Sequence, residues 1–195
     1  MNIDDIVDGV FLINLSSSSD KIKSIVEDLK RNQINAIKIE PTLSSRLNLE
    51  VITEEMRDGV KSLDLTTKSI IDYAKISRLK KILIIEDCVN LSSDQISRFL
   101  SDYETFSKNV DNWDFIHLNS LDGRKAGEKH ISSFSRSICS ECTLKIYMVD
   151  EGVYDLFLHL LEYDKKPLKD LTKDIHKSRI NSYVYEINSD VTEFI

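Results

Sequence analysis

Ile82-Leu83-Ile84-Ile85 is an unbroken apolar run with Lys80-Lys81 before it and Glu86-Asp87 after it. It is far shorter than the roughly 20 apolar residues a membrane span needs, and it lacks the alternation that leaves one sheet face in water. Such a run suits a strand buried on both faces of a parallel sheet. Residues 10–15, Val-Phe-Leu-Ile-Asn-Leu, repeat the pattern near the N-terminus. The second run predicts the first strand, and the first predicts the central one.

Helix-period stretches lie between these runs. Residues 16–20 offer serine and aspartate N-caps, and Ile22, Ile25, Val26 and Leu29 follow at i, i+3, i+4, i+7. Ile37 and Ile39 mark a short strand that Pro41 ends, and residues 42–65 hold no sustained period, so they read as a loop with room for one short helix. Thr66 or Thr67 is then expected to cap a helix carrying Ile70, Ile71, Ala74 and Ile76. Ser92 or Ser93 is expected to cap another, with Ile96, Phe99, Leu100 and Tyr103 on one face.

Further along, residues 113–118 predict a strand, and residues 119–137, with Arg124, Lys125, Lys129 and His130, a polar loop. A strand over 143–149, a helix over 153–161, a short helix over 168–175 and a strand over 182–187 complete the reading. Strands alternating with helices predict an α/β fold, a mostly parallel sheet flanked by helices. At 195 residues, the whole of 1–195 is expected to be one domain.

Composition narrows the function classes. The five glycines, Gly9, Gly59, Gly123, Gly127 and Gly152, have neither the G-x-G-x-x-G nor the G-x-x-x-x-G-K spacing of the common nucleotide loops. A net charge of −7 without a dense basic run argues against nucleic acid as the main partner. No stretch is apolar enough to span a bilayer, and Met1-Asn2-Ile3-Asp4-Asp5 is not a secretory leader. Three cysteines, an odd number, suit a reducing compartment, so the expectation is a cytoplasmic protein without a transmembrane segment. Cys139-x-x-Cys142 has no second pair at zinc spacing and reads as ordinary thiols.

In open α/β sheets ligands bind beyond the carboxyl ends of strands. That rule selects residues 14–17, 86–88 and 119–122. Glu86 and Asp87 offer the hard oxygen donors that Mg²⁺ or Mn²⁺ accepts and shares with substrate phosphates. Two acids after a strand also suit a helix cap or a solvated turn. His117, Trp113, Tyr147, Phe99 and Tyr103 fall at core-like positions and read as packing groups.

The order and spacing of VFLINL, the T-T-x-x-I-I-x-x-A segment, KKILIIED, WDFIHLNS, TLKIYMV and the late Lys166-Pro167 resemble glycosyltransferase family 25, the lipopolysaccharide-biosynthesis type, over nearly the whole chain. The resemblance implies a GT-A-like nucleotide-sugar-binding sandwich that moves a sugar from a UDP- or GDP-sugar donor to a glycan or protein acceptor. It implies donor contacts at Ile13, Asn14, Leu15, Ser16 and Glu86, and a Mn²⁺ or Mg²⁺ ion at Glu86 and Asp87. On the acceptor side, Asp122 and Asp170 are the candidate catalytic carboxylates; both equally suit a solvated loop or a helix cap.

The chain departs from that family's pattern at several points. It has Glu86-Asp87-Cys88 where the family has Glu-Asp-Asp, placing a soft thiol where a carboxylate is expected. Thr66-Thr67 stand for a Ser-His pair, Lys21 and Lys23 for arginines, and Asp170 lies one residue further from Pro167 than the family's spacing. These departures support a second expectation, a catalytically silent GT-A-like binding or scaffold domain.

Overall fold

Val10, Phe11, Leu12 and Ile13 are each at most 2% exposed in β1 (Gly9–Ile13), so both faces of this strand are covered. The computed structural model describes residues 1–14, 19–39, 59–86, 92–120, 130–131, 133–135, 145–162 and 180–187. Within them α1 (Ser19–Arg31) leads to β2 (Ala36–Ile39), α2 (Gly59–Ile76) to β3 (Lys81–Glu86), and α3 (Ser93–Ser107) to β4 (Phe115–Ser120). The short pair β5 (His130–Ile131) and β6 (Phe134–Ser135) follows, then β7 (Ile146–Asp150), α4 (Tyr154–Glu162) and β8 (Ser182–Ile187).

The strands form one sheet in the order β2-β1-β3-β7-β4-β8-β6-β5. β1 pairs in parallel with both β2 and β3, and β4 in parallel with β8. β7 is antiparallel to β3 on one side and to β4 on the other, so β2, β1, β3, β4 and β8 all run one way around it. The expected mostly parallel α/β sheet flanked by helices is the observed one.

Strand alternation sends the side chains into two cores. Val10, Leu12, Leu83, Ile85, Ile116 and Met148 meet α1 and α3 through Ile25, Leu29, Ile96, Phe99 and Phe106. Phe11, Ile13, Ile82, Ile84, Phe115 and Val149 meet α2 and α4 through Ile70, Ile71, Ala74 and Phe157. Of the predicted stripes, Ile22, Ile25 and Leu29 in α1, Ile70, Ile71 and Ala74 in α2 and Ile96, Phe99 and Tyr103 in α3 are buried, Val26 and Leu100 are partly buried, and Ile76, at the end of α2, is exposed. Ser92 caps α3 by accepting from Gln95 N at 3.3 Å, while the Gln95 side chain accepts from Ser92 N at 2.9 Å, a reciprocal capping box.

Two expectations are corrected. The helix expected to open at Thr66 or Thr67 begins at Gly59, and both threonines are fully buried well inside α2. Residues 60–65 contain no glycine or proline to stop a helix, and Leu63 packs against the core. Residues 42–58, the rest of the expected loop, lie outside the described residues. The polar loop expected over 119–137 is also interrupted, because β4 runs on to Ser120 and β5 and β6 form an antiparallel pair whose Phe134 is wholly buried. The short helix expected over 168–175 lies outside the described residues.

At the amino ends of the parallel strands, acids are engaged by backbone. Asp8 Oδ2 accepts from Lys80 N at 2.6 Å and Lys81 N at 2.9 Å. Asp114 Oδ2 accepts from Asn181 N at 2.6 Å, and Asp150 Oδ1 from Gly152 N at 2.9 Å. The Asp8 and Asp114 contacts tie neighbouring strand starts together, and that of Asp150 caps the turn after β7.

Candidate functional site

The chain leaves β1 through α1 toward β2 on one side, then returns through α2 to place β3 on the other side of β1. The two crossover helices, α1 and α2, cover opposite faces of the sheet, and strand order reverses direction at β1. This is a topological switch point, the place where an open α/β sheet forms a crevice at its carboxyl edge.

Register fixes which residues reach it. Ile13 pairs with Glu86, so both strands end level. Asn14 N donates to Ile39 O at 3.0 Å, and Glu86 N donates to Lys145 O at 2.9 Å, which anchors the two strand ends to their outer neighbours. Asn14 is half-buried, whereas Glu86 is 5% exposed, a carboxylate set at the top of an otherwise apolar strand.

Glu86 lies on the sheet face covered by α2, two residues beyond Ile84, and Ile84 pairs with Tyr147 of β7. Tyr147 pairs in turn with His117 of β4. The Tyr147 hydroxyl lies 3.3 Å from Thr67 Oγ1 of α2, both groups being fully buried. Burial raises the Tyr147 pKa, and the charges of Glu86 and Asp64 raise it further, outweighing the opposing effect of the Thr67 hydrogen bond, so the phenol stays protonated. Glu86, Tyr147, His117 and Thr67 are thus buried polar groups on the α2-facing side of the sheet.

The expected site residues fall as follows. Ile13 and Glu86 come together at the switch point with Asn14 beside them, but the Ile13 side chain belongs to the α2-facing core, leaving its backbone as the group at the strand end. Leu15, Ser16, Asp87, Asp122 and Asp170 lie outside the described residues, as do Cys88, Arg124, Lys125, Lys129, Cys139 and Cys142. His117, Trp113, Tyr147, Phe99 and Tyr103 are buried, as core groups should be. The sequence does not announce the contact of Thr67 with Tyr147: they are 80 residues apart, and the packing of α2 on the sheet brings them together.

Among the described residues no three His, Cys, Asp or Glu side chains are grouped as ligands of one ion. The described part therefore supplies no all-protein metal cage. A hard oxygen donor such as Glu86 suits Mg²⁺ or Mn²⁺ where phosphates and water complete the shell. An open groove of about 420 Å³ between the C-terminal end of α1 and the middle of α3 is lined by Arg31, Asn32, Gln33, Ser97, Leu100 and Glu104. Among the described residues no helix is long and apolar enough to cross a membrane.

No protein-family model and no curated protein sequence matches the chain. Among solved structures, the chain is similar to a glycosyltransferase involved in the glycosylation of the major capsid of PBCV-1, with a TM-score of 0.46 and 12% identity over 91% of this chain and 81% of that one.

Proposed function

We propose that the chain binds a nucleoside-diphosphate sugar in the crevice between β1 and β3 and transfers the sugar to a glycan or protein acceptor. The observation that carries this reading is the switch point itself, with Ile13, Asn14 and Glu86 level at its edge. The likeness of these same segments to glycosyltransferase family 25 supports the choice of ligand class.

In this reading Asn14 and the backbone that follows β1 meet the nucleotide. Glu86 and the adjoining Asp87 hold Mg²⁺ or Mn²⁺, which would neutralise the leaving diphosphate. Glu86 is buried at the end of β3. Asp122, which follows β4, and Asp170 are the candidates for holding or deprotonating the acceptor hydroxyl.

Calorimetric titration with UDP, GDP and their sugar conjugates, with and without Mn²⁺, tests the reading on wild type and on Asp87→Ala. Metal-dependent binding that Asp87→Ala abolishes is expected. No binding by wild type under either condition would overturn it. A second reading, a silent binding domain, is favoured by Cys88 in the place of a carboxylate. Sugar transfer gained only by Cys88→Asp would establish that alternative.

A further inference from the structure

Among the described residues β2 is an outer strand of the sheet, with β1 as its strand neighbour. Outer strands usually blunt their open side with charge or proline, because a row of edge backbone groups invites pairing with another chain. On the α2-covered face the margin here is apolar instead. Ile37 is 46% exposed and pairs in register with Phe11, whose ring meets Tyr73 of α2 edge-on, the centroids 6.0 Å apart. Tyr73 is itself 51% exposed, so two large side chains flank the same core ring at the edge of the sheet.

Helix period decides what borders them. Ile70, Ile71 and Ala74 point α2 into the core, and Lys75 ion-pairs with Asp155 of α4, so that flank faces the neighbouring helix. At about 3.6 residues per turn, Lys68 falls on the same flank as Lys75, Asp72 points away from the sheet, and Tyr73 and Ser77 fall on the opposite flank, toward β2. In a chain with 30% charged residues, the side of α2 beside Ile37 presents a phenol and a hydroxyl.

We propose that this edge joins two copies of the chain: β2 pairs antiparallel with β2 of a second copy about a two-fold axis at Ile37, continuing the sheet. The proposal is independent of the nucleotide reading. A patch complementary to itself is what a two-fold contact requires, and the strand's own pattern supplies one. In a continuous antiparallel sheet, directly opposed residues share a face. A centre at Ile37 sets Ile37 against Ile37 and Ala36 against Lys38, so a small side chain meets a long one and like charges are not opposed. The Tyr73 rings then flank the isoleucine pair. A centre at Lys38 would oppose two ammonium groups, and one at Ile39 would bring in Pro41, which has no N–H for a ladder.

Backbone direction agrees with that choice. Ile39 O accepts from Asn14 N at 3.0 Å, so Ile39 and, by alternation, Ile37 turn their backbone groups toward β1, whereas Ala36 and Lys38 turn theirs outward. The Ile37 pair on the axis is then a non-hydrogen-bonded one, whose side chains approach most closely.

Sedimentation and light scattering of the full chain, from micromolar to sub-millimolar concentration, test the pairing. Wild type is expected to reach twice the chain mass as concentration rises. Ile37→Lys opposes two ammonium groups on the axis and should weaken the dimer at least roughly tenfold, with urea unfolding confirming that it folds. Cysteine variants read the register directly. Opposed residues of a non-hydrogen-bonded pair have Cα atoms about 4.5 Å apart, within disulfide range. Ile37→Cys should therefore give a disulfide-linked dimer on mild oxidation, above the background set by the three native cysteines. Asn35→Cys, on the same face but four residues out of step with its copy, should not. A chain monomeric at every concentration, a dimer that Ile37→Lys leaves intact, or a dimer that does not cross-link through residue 37 would overturn the proposal.

Discussion

Phe134 stacks on Phe106, their ring centroids 4.2 Å apart and their planes 22° from parallel. The contact pins the short β5–β6 pair to α3, and the rings of Phe99, Tyr103, Tyr183 and Tyr185 close around it. Phe134→Ala would leave a cavity in this cluster and is expected to destabilise the fold by about 3–5 kcal/mol. Ile76→Ser, at an apolar side chain that is 82% exposed, should change stability by less than about 0.5 kcal/mol. Urea denaturation of both variants checks the contrast.

Phe134 also marks where the sequence was hard to read. Its strand is two residues long, too short for any period to register, and it lies among Ser132, Ser133, Ser135 and Arg136. The long apolar runs were legible because burial on both faces leaves an uninterrupted signature, as in β1 and β3. β8 was legible over its full span, 182–187. The direction of β7 was not, because antiparallel insertion between β3 and β4 is decided by pairing with distant segments.

The site was legible in part for the same reason. That Glu86 ends a buried strand follows from the residues around it; that β1 and β3 are neighbours flanking a switch point depends on strand order. Thr67 looked like a helix cap because threonine is common there, yet its hydroxyl meets Tyr147. No local pattern announces a partner 80 residues away.

Asp102 Oδ2 accepts from Ser133 Oγ at 2.7 Å and from the Tyr185 hydroxyl at 3.0 Å, linking α3 to the β5–β6 pair and to β8. Asp102→Ala removes both bonds and strands a buried phenol, so a loss of about 2–3 kcal/mol is expected. Hydrogen exchange should accelerate first at Phe134 and Ser135. Protection unchanged there would show that the carboxylate does not hold this hairpin.

Four tyrosines among the described residues titrate above their ordinary value of 10.0 in the folded chain. Burial is the main cause for Tyr103, Tyr147, Tyr154 and Tyr185; for Tyr185 the hydrogen bond to Asp102 adds to it. Because the unfolded chain loses these protons first, their stabilising contribution is complete below about pH 10 and is lost as pH rises beyond it. Each group steepens the loss by up to about 1.4 kcal/mol per pH unit. Urea midpoints should hold steady to about pH 9 and fall sharply above about pH 10.5, with tyrosinate absorbance appearing alongside unfolding. Full tyrosinate absorbance in a chain that remains folded would contradict this.

Amide NMR during titration with UDP or GDP tests most directly whether the β1–β3 switch point is the ligand site. With Mg²⁺ present, the amides of Ile13, Asn14 and Glu86 should shift, while those of Asp8, Lys80 and Asp150 at the opposite strand ends should stay in place. Replacing Mg²⁺ with Mn²⁺ should broaden the same carboxyl-end signals selectively. Shifts confined to the amino ends, to the groove beside Asn32 and Ser97, or found nowhere would contradict the account.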